Sequence, residues 1–158
     1  MEEEKQLSGL GGWLALVGLG ILISPIRILI LLVPTFIEVF SGDTWSILTT
    51  PGNDVYSPYW APILLSEIAV NSAIIIAWIY IGYLFFKKKK SFPKWYIGII
   101  LFTFVYTIFD AFTIKLVLPS EPLFDPDTLK SLARLSVMAA IWIPYMLVSK
   151  RVKATFLK

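Results

Sequence analysis

The chain contains no cysteine and no histidine. The first absence excludes disulfides, thiolate nucleophiles, CxxC redox chemistry and soft-ligand metal sites. The second removes the usual general base near neutral pH. Charge is also scarce. Only 16% of the 158 residues are charged, against about a quarter in an ordinary soluble domain. What fills the chain instead is apolar: 57% of its residues are hydrophobic. One small globule cannot hide that much apolar surface, so the bilayer is the expected solvent.

Four apolar stretches cover 10–40, 60–86, 95–118 and 128–148. Each exceeds the roughly 20 residues needed to cross a ~30 Å hydrocarbon core. A spanning segment must satisfy its own backbone in lipid, and the alternation of barrel strands is missing, so all four are predicted helices. The expected fold is all-α, a single four-helix transmembrane bundle over 1–158. Pro25 and Pro34 interrupt the first stretch and predict a kink, or an end near Pro34 followed by an interfacial segment. Ser57-Pro58, Phe92-Pro93 and Asp125-Pro126 each offer a proline to the first turn of a helix, and Ser57 and Asp125 are suitable N-caps. Trp13, Tyr59, Trp60, Tyr83, Trp95 and Tyr96 are placed as interfacial anchors. The acidic Met1–Lys5 segment, the long apolar run and the lack of an A-x-A site make the first stretch a retained span rather than a cleaved signal.

Basic residues set the expected orientation. Lys5, the run Lys87 to Lys90, Lys94, Lys150, Arg151, Lys153 and Lys158 all fall on one side of a four-span chain. The connections 41–59 and 119–127 carry no Lys or Arg. They hold Asp43 and Asp54, and Glu121, Asp125 and Asp127. The positive-inside rule then puts both termini and the loop 87–94 in the cytoplasm. The lysine run is topogenic, with attraction to anionic headgroups as a secondary effect and no nucleic acid implied. In the outer loop 41–59, Pro51-Gly52-Asn53-Asp54 signals a turn, and a short helix or hairpin can follow Ser41.

The informative residues are charges inside the spans. Arg27, Glu67, Asp110 and Arg134 come from four different helices. Counting 1.5 Å per residue from the predicted ends places all of them about 9–12 Å below the outer interface. A lone charge facing lipid costs at least ~2.5 kcal/mol near the bilayer centre. The four are therefore expected to converge on the bundle axis, with direct Arg–carboxylate contacts. Asn71, Thr107, Thr103 and Ser24 are their polar neighbours. Glu38, Lys115 and Lys130 are read as interfacial or loop residues that snorkel. Small-residue stripes at i+4 spacing (Ala69, Ala73 and Ala77; Thr103, Thr107 and Ala111; Gly11 and Ala15; Gly20 and Ser24) are expected to pack inside the protein. Pro144 should kink the fourth helix, freeing the Ala140 carbonyl.

No catalytic signature is present: no H-E-x-x-H, G-x-S-x-G, P-loop or Rossmann glycine pattern. Asp110 has no second intramembrane aspartate with which to share a proton. No enzyme activity, metal or cofactor is expected.

Leu10-Gly11-Gly12-Trp13-Leu14, Phe85-Phe86 before the lysines, Phe92-Pro93, and the tail Trp142-Ile143-Pro144-Tyr145 with Ser149-Lys150-Arg151-Val152-Lys153-Ala154-Thr155-Phe156 resemble an uncharacterised family of small bacterial four-span membrane proteins, a domain of unknown function. The resemblance covers nearly the whole chain. It implies a multi-pass protein of the bacterial cytoplasmic membrane and brings no activity with it. The basic tail ends in Phe156-Leu157 and is expected to lie on inner headgroups, to dock a partner, or simply to be topogenic. Two functional classes follow. One is a structural or accessory subunit, whose partner is another membrane protein or a second copy and whose charges order the bundle. The alternative is binding or transport of a small zwitterionic or anionic solute in an outward-facing charged cavity.

Overall fold

Gly12 starts the first helix with φ +62°, a left-handed conformation that glycine adopts without steric cost. From there α1 runs Trp13–Ser41. The computed structural model describes residues 9–156, so Glu2 to Glu4, Lys5, Leu157 and Lys158, used above for orientation and for the tail, lie outside the described residues. After α1 come the short α2 (Thr44–Thr49), α3 (Trp60–Phe86), α4 (Phe92–Ile114), α5 (Pro126–Val148) and α6 (Lys150–Phe156). No strand occurs among the described residues. Helices α1, α3, α4 and α5, of 29, 27, 23 and 23 residues, are each long and apolar enough to cross a membrane, the pattern of a multi-pass membrane protein.

Several local expectations change. α1 passes through both Pro25 and Pro34 to Ser41 rather than ending near Pro34. The low-dielectric setting favours keeping backbone groups in a helix, and only the bonds that the prolines remove are given up. The N-cap of α3 is Tyr59, not Ser57. The Ser57 hydroxyl instead accepts from the Tyr59 N–H at 3.3 Å. α4 begins and ends earlier than 95–118, with Phe92 and Pro93 inside its first turn. α5 continues through Pro144 to Val148. Asp125 does cap α5: its Oδ1 accepts from the N–H of Asp127 at 2.8 Å and of Thr128 at 3.1 Å. In the 41–59 connection the expected short helix is α2. Its turn uses Gly52 at φ +103°, and the Asn53 amide donates to the Thr50 carbonyl at 3.1 Å.

Burial is concentrated at one end. Leu14, Val17 and Ile21 of α1, Trp78, Ile81, Leu84 and Phe85 of α3, Phe92, Tyr96, Ile99 and Ile100 of α4, and Val152 and Phe156 of α6 form the core. Phe92 and Phe156 have ring centroids 4.5 Å apart, and Phe85 stands 5.1 Å from Phe92. Gly18 makes room for this cluster, since a Cβ there would come within 2.8 Å of the Phe85 ring. Tyr96 is therefore a core residue rather than an interfacial anchor. The tail likewise turns inward, burying Val152 and Phe156 against its own chain. Gly9 donates its N–H to the Thr155 hydroxyl at 3.0 Å, and the Arg151 side chain lies against Gly11 and Gly12. Both described chain ends and the lysine-rich 87–90 turn thus share one end of the molecule, here the basic end. The connections with Asp43, Asp54, Glu121, Asp125 and Asp127 share the other, the acidic end.

The four long helices pack in sequence order: α1 on α3, α3 on α4, α4 on α5. α1 and α5 make no extended contact. They meet at the basic end through Trp13 and Trp142, whose rings stand edge to face with centroids 6.3 Å apart. The row of helices is closed there and open along one flank toward the acidic end.

Candidate functional site

A cavity of about 300 Å³ occupies the open region, and all four long helices line it. α1 contributes Ser24 and Arg27, α3 Glu67 and Asn71, α4 Thr103, Tyr106, Thr107 and Asp110, and α5 Ser131 and Arg134. All six residues singled out from the sequence (Arg27, Glu67, Asp110, Arg134, Asn71 and Thr107) therefore share one cavity. Periodicity explains the placement. Glu67 and Asn71 are one turn apart on α3, and Thr103, Thr107 and Asp110 follow one another on a face of α4.

The expected Arg–carboxylate contacts are absent. Among the described residues the ion pair within 4.0 Å is Lys130–Asp127, at 3.0 Å on the surface. The register of α1 on α3 accounts for one missing pair: Gly18 lies against Phe85 and Ile21 against Gly82, which sets Arg27 beside the turn around Ile76, more than two turns from Glu67. The four charges divide by exposure: Arg27 and Arg134, on the helices flanking the open side, are exposed, and Glu67 and Asp110, on the two helices behind, are half-buried.

Four of the neutral polar side chains are committed on their donor side. Ser24 donates its hydroxyl proton to the Gly20 carbonyl at 2.7 Å, Thr103 to Ile99 at 2.8 Å and Thr107 to Thr103 at 2.9 Å. The Asn71 amide donates to the Glu67 carbonyl at 2.9 Å. Each of these three hydroxyl oxygens keeps lone pairs that can accept. Toward the basic end its wall becomes apolar, with Ile74, Trp78, Ile100, Leu135 and Met138. Sequence reasoning missed Tyr106 and Ser131. Their signal was spacing, four residues before Asp110 and three before Arg134.

The model of the family described as Protein of unknown function (DUF2569) matches residues 7–157. The chain belongs to that family. No curated protein and no solved structure matches it. Within DUF2569 membership, the segments that carried the resemblance have a structural reason in this chain. Gly11-Gly12 receives Arg151 of the tail, and Phe85, Phe92 and Phe156 make the aromatic cluster. Those segments build the closed end, and none of them lines the charged cavity.

The small-residue stripes divide. Thr103 and Thr107 face the cavity and Ala111 is buried. Ala69 and Ala73 face outward rather than packing inside the protein. With Ala77, Gly98, Trp95 and Phe102, Ala73 lines an apolar groove of about 490 Å³ between α3 and α4.

Proposed function

We propose that this is a non-enzymatic protein of the bacterial cytoplasmic membrane that binds a small zwitterionic or anionic solute in an outward-facing cavity, with both termini in the cytoplasm. One observation carries the reading: two arginines and two carboxylates from four helices line one open cavity without pairing to one another. Charges that serve only as interhelical glue gain their stabilisation by contact, and a desolvated pair is held by geometry and hydrogen bonds. Unpaired, accessible charges in a concave site of this size are instead suited to a ligand. Arg27 and Arg134 would take the anionic group, since the guanidinium fork matches carboxylate and phosphate. Glu67 and Asp110 would take a cation. The orientation rests on the positive-inside rule applied to the basic end.

The test uses Glu67→Gln and Arg134→Gln singly, with phosphoethanolamine and inorganic phosphate as soluble probes. Both variants should fold in detergent with melting temperatures close to wild type and lose most of the probe-dependent stabilisation. Large losses of stability from each single change, restored in the double variant, would show a structural ion pair and sink the reading. A second reading, an accessory subunit, is favoured by the outward Ala69–Ala73 stripe, which permits close approach of another helix. Ala73→Leu would then reduce co-purification or self-association.

A further inference from the structure

We infer that the cavity receives the headgroup of an amino-phospholipid from the leaflet on the acidic side, entering sideways between α1 and α5. The inference rests on the solute-binding reading above and specifies its ligand. Three features of the cavity agree with the order of groups along such a lipid. The first is the order of groups from the flank inward. Arg27 and Arg134 are exposed on the two flanking helices, Glu67 and Asp110 are half-buried on the two helices behind, and toward the bilayer centre the wall is apolar (Ile74, Trp78, Ile100, Leu135 and Met138). A phospholipid headgroup entering from the flank presents its terminal ammonium first and its phosphate behind it, with the acyl chains left in the bilayer. The two arginines meet the phosphate as charge-assisted forks. The primary ammonium, with three N–H donors and no acceptor, meets the two carboxylates and the lone pairs of Thr107, one turn from Asp110.

The second feature is depth. If the basic helix ends mark one boundary of a ~30 Å hydrocarbon core, all four charges, counted at about 21–29 Å, lie in the half toward the acidic side. The deepest of them is about 9 Å below the opposite boundary, the distance a headgroup must sink. The third feature is the opening. α1 and α5 are the neighbouring pair without extended contact, so the cavity faces the bilayer along the flank that carries Arg27 and Arg134. At about 300 Å³ it has room for a headgroup and not for two acyl chains, which stay in the bilayer beyond the flank. Net charge agrees as well: two cations and two anions meet a zwitterion, with no charge left uncompensated in a low-dielectric region.

The experiment compares lipid headgroups in nanodiscs of phosphatidylcholine doped with phosphatidylethanolamine or with phosphatidylglycerol. Lipid retained by the full chain is read by native mass spectrometry. Wild type should retain phosphatidylethanolamine about tenfold better than phosphatidylglycerol, the scale of one or two charge-assisted hydrogen bonds. Glu67→Gln with Asp110→Asn should erase that preference while leaving phosphate-dependent retention. If the double variant does not fold, each single change should halve the preference on a logarithmic scale. Equal retention of the two lipids by wild type, or a preference that survives removal of both carboxylates, overturns the inference. The soluble probes separate the two claims. Stabilisation by phosphoethanolamine without selective lipid retention removes the lateral lipid and leaves the cavity. Failure of both removes the cavity reading too.

Discussion

The two ends of this molecule are built on opposite terms. At the basic end, aromatic rings from α3, α4 and α6 interlock over a glycine of α1, and the most fully buried side chains are found there. Toward the acidic end the same helices separate, and oppositely charged side chains face a shared space without touching. Packing density in the first region leaves no latitude for change. In the second region the absence of direct contacts leaves the charges available. The difference teaches that rigidity and chemistry have been assigned to separate levels: the closed end fixes the helices, and the open end uses that fixed frame to hold four charges around one cavity.

The comparison predicts a graded response to substitution. The largest effect belongs to Phe156→Ala, which removes a ring that is 1% exposed and leaves a hole among Phe85 and Phe92. Stability should fall by about 3–5 kcal/mol, measured by chemical or thermal unfolding in detergent. A change below about 1 kcal/mol would mean that the aromatic end does not hold the fold. Next comes Gly18→Val. A side chain there meets Phe85, which its neighbours prevent from withdrawing, so overpacking should cost about 1–3 kcal/mol. The smallest effect lies at the acidic end. The Thr128 hydroxyl, then the backbone N–H groups of Thr128 and Asp127, hold the Asp125 carboxyl below its usual range. A depressed carboxylate pKa contributes stability above the unfolded value and loses it as pH falls through the folded one. Acidification should therefore lower the protection of the Asp127 and Thr128 amides, taken relative to their intrinsic exchange rates, while protection in the aromatic end stays unchanged. Asp125→Ala should remove that protection at every pH. Uniform loosening of both ends with acid would break the contrast.

Much of the architecture was legible because lipid simplifies the problem. An apolar run longer than the hydrocarbon core must become a helix, and all four runs did. The convergence of Arg27, Glu67, Asp110 and Arg134 was legible for the same reason, since a charge in a span is costly enough to be placed deliberately. What failed was fine geometry. Nothing in the residues 115–118, still mostly apolar, announces that α4 ends at Ile114. The register of one helix on another is not written in the spans either, and it is what sets Arg27 more than two turns from Glu67. The inward docking of the tail was not legible either. Val152 and Phe156 stand among basic residues, and amphipathicity at a helix of seven residues does not say whether its apolar side meets lipid, a partner or its own chain.

That docking has a consequence for biosynthesis. The bond between Gly9 and Thr155 spans 146 positions, and the ring of Phe156 completes the aromatic cluster. A nascent chain can insert its apolar segments one after another, but the basic end cannot close until residue 156 has cleared the ribosome. Until then Phe85, Phe92 and the glycine face of α1 remain uncovered. The docked segment therefore closes the seam last: a chain arrested before it would carry the four long helices and leave the aromatic seam open.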